Sequence, residues 1–433
     1  MSLRIILASI LLTATYSVAS AQVPLPTDLS IQPPGTGVPA EDAAFSGAWG
    51  NGAWEGSTPT ALIVEQVDAD GTAKVIYARG ATEHPKIAAH WLRLTGRIED
   101  HCLTIHLPDP DSSAGFRVQY RIIAPGRLEG DLTTWDGWRT QAFLQLIPGP
   151  PAAIIATAAR PFRPIWQEIR IPEHSSVGDA AGQTIQLAAT LYRTPLPGRQ
   201  PLVILNHGAP GSAADGIERT WHFEAEARFF LARGYNVVVP MRKGRGQSGG
   251  PYLERTTIPT AIQVDSAVED EDTVVNAMRA EPWVDPARIV VAGWSRGGGL
   301  SIVYAARHPD KVAGVINFSG GWWSEYESKY EPETSGTEEQ QMRELLAAAG
   351  KTTRVPELWL YADNDMFYSL AYARKIFDAF RANGGSGDFL AFGKVSAVPI
   401  STAGNGHALF EHVGMWKAAA AAYLRRIEDA RSP

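Results

Sequence analysis

The pattern of apolar and polar positions changes character at about residue 148. From Phe45 to about Ile147 the apolar residues come in short runs or alternate with polar ones, the two-residue repeat of a half-buried strand, and no helical repeat of useful length occurs. Ala61–Val67 and Ala73–Tyr77 flank Asp70-Gly71, a dipeptide suited to a hairpin turn. Arg117–Ile123 alternates and stops at Pro125-Gly126, and Leu128–Thr134 and Thr140–Ile147 flank Asp136-Gly137. About six to eight short antiparallel strands, a small barrel or sandwich, are expected over residues 44–147.

After Pro148-Gly149-Pro150-Pro151 the pattern differs. Gln167–Ile171 and Thr184–Tyr192 read as an entry hairpin. Then apolar runs at Leu202–Leu205, Asn236–Val239, Ile289–Ala292, Val312–Phe318, Leu358–Tyr361 and Phe389–Phe392 alternate with helical spacing at Trp221–Arg233, Thr260–Ala280, Gly297–Arg307, Glu338–Ala349 and Ser369–Asn383. Runs that are apolar throughout suit parallel strands buried on both faces. The alternation predicts a doubly wound, mostly parallel α/β sheet over residues 166–433, with 148–165 as a linker. Residues 22–43, rich in Pro, Gly and Ala, read as a second linker.

A chain of 433 residues has room for about two or three domains, and its 45% apolar and 20% charged residues are those of an ordinary globular protein. The net charge of -7, with no run of Lys and Arg, argues against nucleic acid or an anionic membrane surface as the main partner. Arg4, the apolar stretch Ile5–Leu12 and Ala19-Ser20-Ala21 form a signal-peptide pattern with a cut before Gln22, and the apolar stretch is too short to span a bilayer. Residues 1–21 are therefore expected to be removed from an exported protein, periplasmic or secreted. No cysteine follows the cut to carry a lipid. Cys102 is the only cysteine, which excludes an intramolecular disulfide and a zinc site built on several thiolates.

The sharpest chemical signal is Gly293-Trp294-Ser295-Arg296-Gly297, followed by Gly298 and Gly299. An apolar strand leads in and a helix leads out. On such a turn a serine hydroxyl is exposed beside the backbone N–H groups of a helix N-terminus, the setting of a nucleophile. Trp283-Val284-Asp285-Pro286-Ala287-Arg288-Ile289, running into this motif, together with Arg242–Gly250, resembles the dienelactone-hydrolase-like and acyl-peptidase-like branch of the α/β-hydrolase superfamily. The resemblance covers about Pro201–Arg426. It implies an α/β-hydrolase fold and a serine hydrolase. Dienelactone hydrolases proper use cysteine, so a serine here points toward ester or peptide chemistry.

Chain order in this fold is Ser, then acid, then His. His407, after the last strand and before a helix over Glu411–Ile427, is the expected base, with His412 as its rival. Asp365 is the expected acid, selected over Asp363 by the family's spacing after the strand that ends near Ala362. The oxyanion donors are expected to be the N–H of Arg296 and, in a loop His207-Gly208-Ala209-Pro210-Gly211 that resembles the family's His-Gly-x-Pro, the N–H of Ala209. His207 reads as structural, since a catalytic role would break the chain order.

Trp322 and Trp323 could form an apolar wall for an acyl or aryl group or pack a lid, with Glu325, Glu327, Glu331 and Glu333 either rimming the pocket or facing solvent. Arg242–Gly250 lacks the spacing of a nucleotide phosphate loop. His84, His90, His101 and His106 lack metal-ligand spacing, so neither metal nor cofactor is expected. The expected substrate is a small carboxylic ester. A short peptide or an acyl-aminoacyl amide, or acyl transfer to an alcohol, are the alternatives.

Overall fold

The computed structural model describes residues 23–54, 58–83, 86–109, 112–134, 139–158, 165–194, 198–209, 219–253, 261–322, 335–395 and 406–430. Residues 1–21, where the export signal is expected, lie outside them. The chain forms two compact units, residues 1–162 and 163–433.

The first unit is a closed antiparallel barrel. Its strands are β1 (Gly47–Trp54), β2 (Thr58–Val67), β3 (Thr72–Arg79), β6 (His90–Glu99), β7 (Cys102–Asp109), β8 (Ser112–Ala124), β9 (Arg127–Thr133) and β10 (Arg139–Ile147), in the order β1-β10-β9-β8-β7-β6-β3-β2. The short strands β4 (Thr82–Glu83) and β5 (Lys86–Ile87) pair only with each other. Asp70 and Gly71 make the β2–β3 turn: Asp70 accepts from the Thr72 N–H at 2.9 Å, and Gly71 has φ of 85°. Alternate residues such as Leu62, Val64 and Tyr77 fill the interior.

One side of the barrel is buried on its outer face as well. Ala61, Ile63, Ile76 and Ile147 pack there beneath Ile154 and Ala158 of helix α2 (Pro151–Ala158) and beneath Val23 and Leu29. This double burial explains why Ala61–Val64 is an unbroken apolar run rather than an alternating one. It also corrects the reading of two linkers. Gln32 and Gly35 donate to the carbonyls of Glu65 and Val67, and the short helix α1 (Ala40–Ala43) follows, so residues 23–43 are packed on the barrel. Composition suggested loops because prolines rule out long regular elements, yet spaced apolar residues suffice to anchor an irregular segment.

The second unit is an eight-stranded sheet: β11 (Ile165–His174), β12 (Thr184–Arg193), β13 (Gln200–Asn206), β14 (Asn236–Pro240), β15 (Val284–Trp294), β16 (Gly314–Phe318), β17 (Glu357–Ala362) and β18 (Gly387–Phe392), ordered β11-β12-β14-β13-β15-β16-β17-β18. The β11–β12 and β12–β14 pairs are antiparallel and the rest parallel. One face is covered by α4 (Ala261–Ala280), α5 (Arg296–Arg307), α6 (Ser335–Thr352) and α7 (Leu370–Ala382), the other by α3 (Glu224–Ala232) and α8 (Val413–Asp429). This is the α/β-hydrolase arrangement, an antiparallel entry followed by a doubly wound parallel sheet. The strand order reverses about β13, so the β13 and β15 C-terminal ends open where a ligand would bind. The last strand departs from expectation: β18 is an edge, paired with β17 alone, and its residues are partly exposed instead of buried on both faces.

Two buried glutamates tie stability to pH. Glu357 accepts from the Trp359 indole at 2.8 Å and burial pushes it up to about 8; Glu271 accepts from Asn206 at 3.0 Å and burial pushes it up to about 7. The unfolded glutamate titrates near 4.5, so between that pH and about 7 to 8 the folded chain keeps protons the unfolded chain has lost. Their contribution is most favourable below about pH 4.5, declines as pH rises, and levels off above about pH 8. Melting temperatures of Glu357→Gln and the parent, measured at about pH 5, 6.5 and 8, should show a shallower decline for the variant.

Candidate active site

Ser295 stands between β15 and α5 with φ of 57° and ψ of -126°, a conformation rare for a residue bearing a Cβ. Its N–H donates to the Phe318 carbonyl at 3.0 Å, and its own carbonyl accepts from the N–H groups of Gly298, Gly299 and Gly321. The surrounding glycines are needed for close approach. A Cβ on Gly293 would lie 2.3 Å from the Gly297 carbonyl, one on Gly297 2.3 Å from the Asn206 oxygen, and one on Gly298 2.2 Å from Asn317 Oδ1. The first turn of α5 thus sits directly on β13, β15 and β16, and the half-buried serine caps it.

The second group of residues comes from the far end of the sheet. His407 lies in a 3₁₀ turn, Gly406–Glu411, just before α8. Its Nδ1 is 3.3 Å from Asp365 Oδ2, and both side chains are nearly or fully buried. The other Asp365 oxygen accepts from the N–H groups of Phe367 and Tyr368 at 2.8 and 3.0 Å, which fixes the carboxylate. A carboxylate only accepts, so in this pair the hydrogen bond runs from Nδ1 to Asp365. Asp363 is exposed, and its N–H continues the ladder to the Phe392 carbonyl. His412 precedes α8, and its carbonyl accepts from the Met415 N–H. Of the two histidines and two aspartates weighed from sequence, the structure joins His407 and Asp365. Trp294 links them to the elbow: its indole donates to the His407 carbonyl at 2.7 Å, and its ring centroid is 5.4 Å from the imidazole.

The loop after β13 abuts the serine, since a Cβ on Gly208 would lie 3.1 Å from that of Ser295. Ala209 follows, half-buried. His207 is fully buried, its Nδ1 2.7 Å from the Gly208 carbonyl and its Nε2 accepting from the Arg242 N–H at 3.2 Å. Burial, reinforced by the charges of Arg242, Arg245 and Arg296, holds the imidazole well below the usual histidine range. It is a neutral brace. The Arg242 guanidinium completes it, donating to the carbonyls of His207 at 2.8 Å and Gly208 at 3.3 Å. This positioning role of Arg242 was not visible from sequence; the family resemblance of Arg242–Gly250 was its one signal.

A model of the prolyl oligopeptidase family, Peptidase S9, matches residues 221–395. NocK of Nocardia uniformis subsp. tsuyamanensis, which bears the name of an esterase, is 30% identical over 187 residues, 40% of this chain and 49% of that protein. Dipeptidyl-peptidase 5 of Porphyromonas gingivalis is 30% identical over 113 residues, 26% of this chain and 16% of that one. Among solved structures, acetyl xylan esterase 1 from Thermoanaerobacterium sp. superposes with a TM-score of 0.41 at 16% identity, over 61% of this chain and 88% of its own. The family match falls wholly within the second unit, which has the α/β-hydrolase fold. The matched region spans half or less of the length of these curated relatives.

Elsewhere in the hydrolase unit, oxygens of Glu173, Glu269 and Asp270 lie within 4.8 Å of one another, a grouping that could hold a cation. The Lys243 ammonium already stands there, 2.7, 2.7 and 3.1 Å from them. Burial alone would lower the lysine, but the charges of Asp270, Glu173 and Glu269 hold it above its usual range. Burial and the neighbouring Glu173 push Asp270 well above the usual carboxylate range. In the barrel unit, His101 faces Glu41 and Asp42 in a turn, and His90 and His106 are strand residues. His84 lies outside the described residues.

Trp322 departs from the expected pocket wall. It is 1% exposed, in a core cluster with Met342, Leu346 and Tyr368, and the Arg296 guanidinium lies 5.8 Å from its ring. Its place is that of a packing residue, drawn inward because Gly320 and Gly321 let the chain turn down against α5. Trp323 and Glu325–Glu333 lie outside the described residues.

Gly297→Ala and Gly293→Ala should each lose at least about 2 kcal/mol of stability, since the new Cβ meets backbone rather than a side chain that can move. Urea unfolding of the two variants, with Gly414→Ala on α8, where a Cβ would meet nothing within 4 Å, as the control, measures the difference.

Proposed function

We propose that the chain is an exported serine hydrolase that cleaves small carboxylic esters through Ser295, His407 and Asp365. The observation that carries this is the imidazole held by a buried, doubly amide-bonded carboxylate and tied through Trp294 to the strained serine turn. In this reading His407 Nε2 takes the proton as Ser295 Oγ attacks the ester carbonyl, and Asp365 holds the ring and stabilises the imidazolium. The N–H groups of Arg296 and Ala209 receive the oxyanion, with Arg242 and His207 holding the second of them in place. His407 then protonates the leaving alcohol, and water repeats the sequence on the acyl-enzyme. The scheme uses no metal or cofactor.

Support for ester over peptide comes from the names of relatives such as NocK and the bifunctional esterase/perhydrolase DCH of Acinetobacter calcoaceticus, and from the accessory unit, a small barrel. Peptide cleavage is the second reading, favoured by the family model and by the likeness to dipeptidyl-peptidase 5. Aryl esters of graded acyl length, run beside aminoacyl amides, separate the two. A kcat/KM for the amides equal to or above that for the esters reverses the assignment.

Ser295→Ala should abolish turnover and labelling by a fluorophosphonate, and substantial residual ester hydrolysis would remove the nucleophile. Asp365→Asn is expected to cost on the order of 10³ to 10⁴ in kcat through loss of the correct tautomer, while Asp363→Asn should cost little. The opposite ranking would move the acid. For export, N-terminal sequencing of protein recovered from the periplasm or medium should begin at Gln22, and a start at Met1 would contradict processing.

A further inference from the structure

The interior of the barrel is uneven in polarity. Toward the end formed by the β2–β3 and β6–β7 turns it is apolar, lined by residues such as Phe45, Val67 and Ile98. Toward the other end it holds polar groups. The Trp54 indole donates to the Tyr77 hydroxyl at 3.1 Å. Tyr120 is 0% exposed and Thr140 2% exposed, and neither hydroxyl has a hydrogen-bond partner among the described residues; nor has Arg79 Nε. Arg79 stands opposite Thr60 in the β2–β3 ladder, two residues along from Tyr77 and so on the same inward face. The Tyr120 and Trp54 rings converge on Gly130, where a Cβ would lie 2.8 and 3.1 Å from them.

A buried polar group that nothing answers is costly, so three of them on the inward faces of one barrel call for an occupant. All three can donate, and one belongs to a guanidinium. Burial raises the Tyr77 and Tyr120 phenols above their usual range, so both keep their protons. The complement is an acceptor with negative charge. The barrel wall is most weakly paired between β6 and β7. Strands β6 and β7 pair only at Arg97–Thr104, Ile98–Leu103 and Glu99–Cys102. Beyond these pairs Leu92 and Leu94, whose ladder partners Tyr77 and Val75 face inward, are partly exposed.

We propose that the barrel binds a small carboxylate on a short apolar chain, its head on Arg79, Tyr120 and Thr140 and its tail along the leucines of β6. An eight-stranded barrel is of the size that side chains just fill or that holds one small ligand. The site is separate from the hydrolase unit and does not depend on the reaction assigned there.

The test is calorimetric titration of the full-length protein with sodium octanoate and with 1-octanol, for the parent, Arg79→Met and Tyr120→Phe. Octanoate should saturate one site and bind more tightly than octanol. Its affinity should fall about tenfold or more in Arg79→Met, as expected for loss of a charge-assisted bond, and several-fold in Tyr120→Phe. Tyr120→Phe removes only an orphaned hydroxyl, so without ligand it should melt at or above the parent temperature while showing a smaller octanoate-induced rise. That variant carries the test if Arg79→Met fails to fold. Absence of saturation by about 10 mM, octanol binding as tightly as octanoate, or unchanged octanoate affinity in a folded variant would each overturn the site.

Discussion

Everything at the candidate active site depends on one close contact, the first turn of α5 lying on the ends of β13, β15 and β16 with no side chain between. Gly293, Gly297 and Gly298 make that contact possible, and it forces Ser295 into its left-handed turn. Because the helix is so near, the positive end of its dipole lies beside the serine. A looser packing would relax the turn and lose the alignment together.

The contact is sustained from below by polar groups that the low-dielectric interior makes costly to break. Asn206, at the end of β13, donates to Glu271 on α4 and to Ser301 on α5, and Ser301 donates to the Gly297 carbonyl. Beside it Arg242 and neutral His207 fix the next loop, and Lys243 carries the connection on to Glu269 and Asp270 of α4 and Glu173 of β11. Few residues meet at the serine turn, but their positions are set by a chain of buried groups reaching across the sheet.

Much of this was legible in the sequence, for identifiable reasons. The elbow is local: strand, serine and glycines are contiguous, and each carries its own steric signal. The parallel strands were legible because burial on both faces leaves an unbroken apolar run. Asp365 and Asp363 differ by one feature that spacing only hints at: Asp363 still belongs to the β17 ladder, and Asp365 is the first residue free to turn back toward His407. Arg242 was not legible, because its partners are some 34 or 35 residues away and nothing in a run of arginines and glycines says which carbonyls it will meet. Sequence left Trp322 open between pocket wall and packing, because an aromatic after a strand looks the same whether it lines a pocket or turns inward. The packing of residues 23–43 was missed because Val23 and Leu29 are too sparse to form a period, while the surface that receives them lies far along the chain.

The Lys243 cluster also bears on the order in which the hydrolase unit assembles. Its members come from residues 173, 175, 243, 269 and 270, so the ammonium meets its full set of carboxylates only after nearly a hundred residues have been brought together. Until then Lys243 has little to offset its own burial, and the β11–β12 hairpin has no charged partner to hold it. Contacts of such long range cost loop-closure entropy and are slow to form. A chain emerging N-terminus first would carry that hairpin as a waiting edge, paired with itself but open on the other side, until α4 arrived to close it.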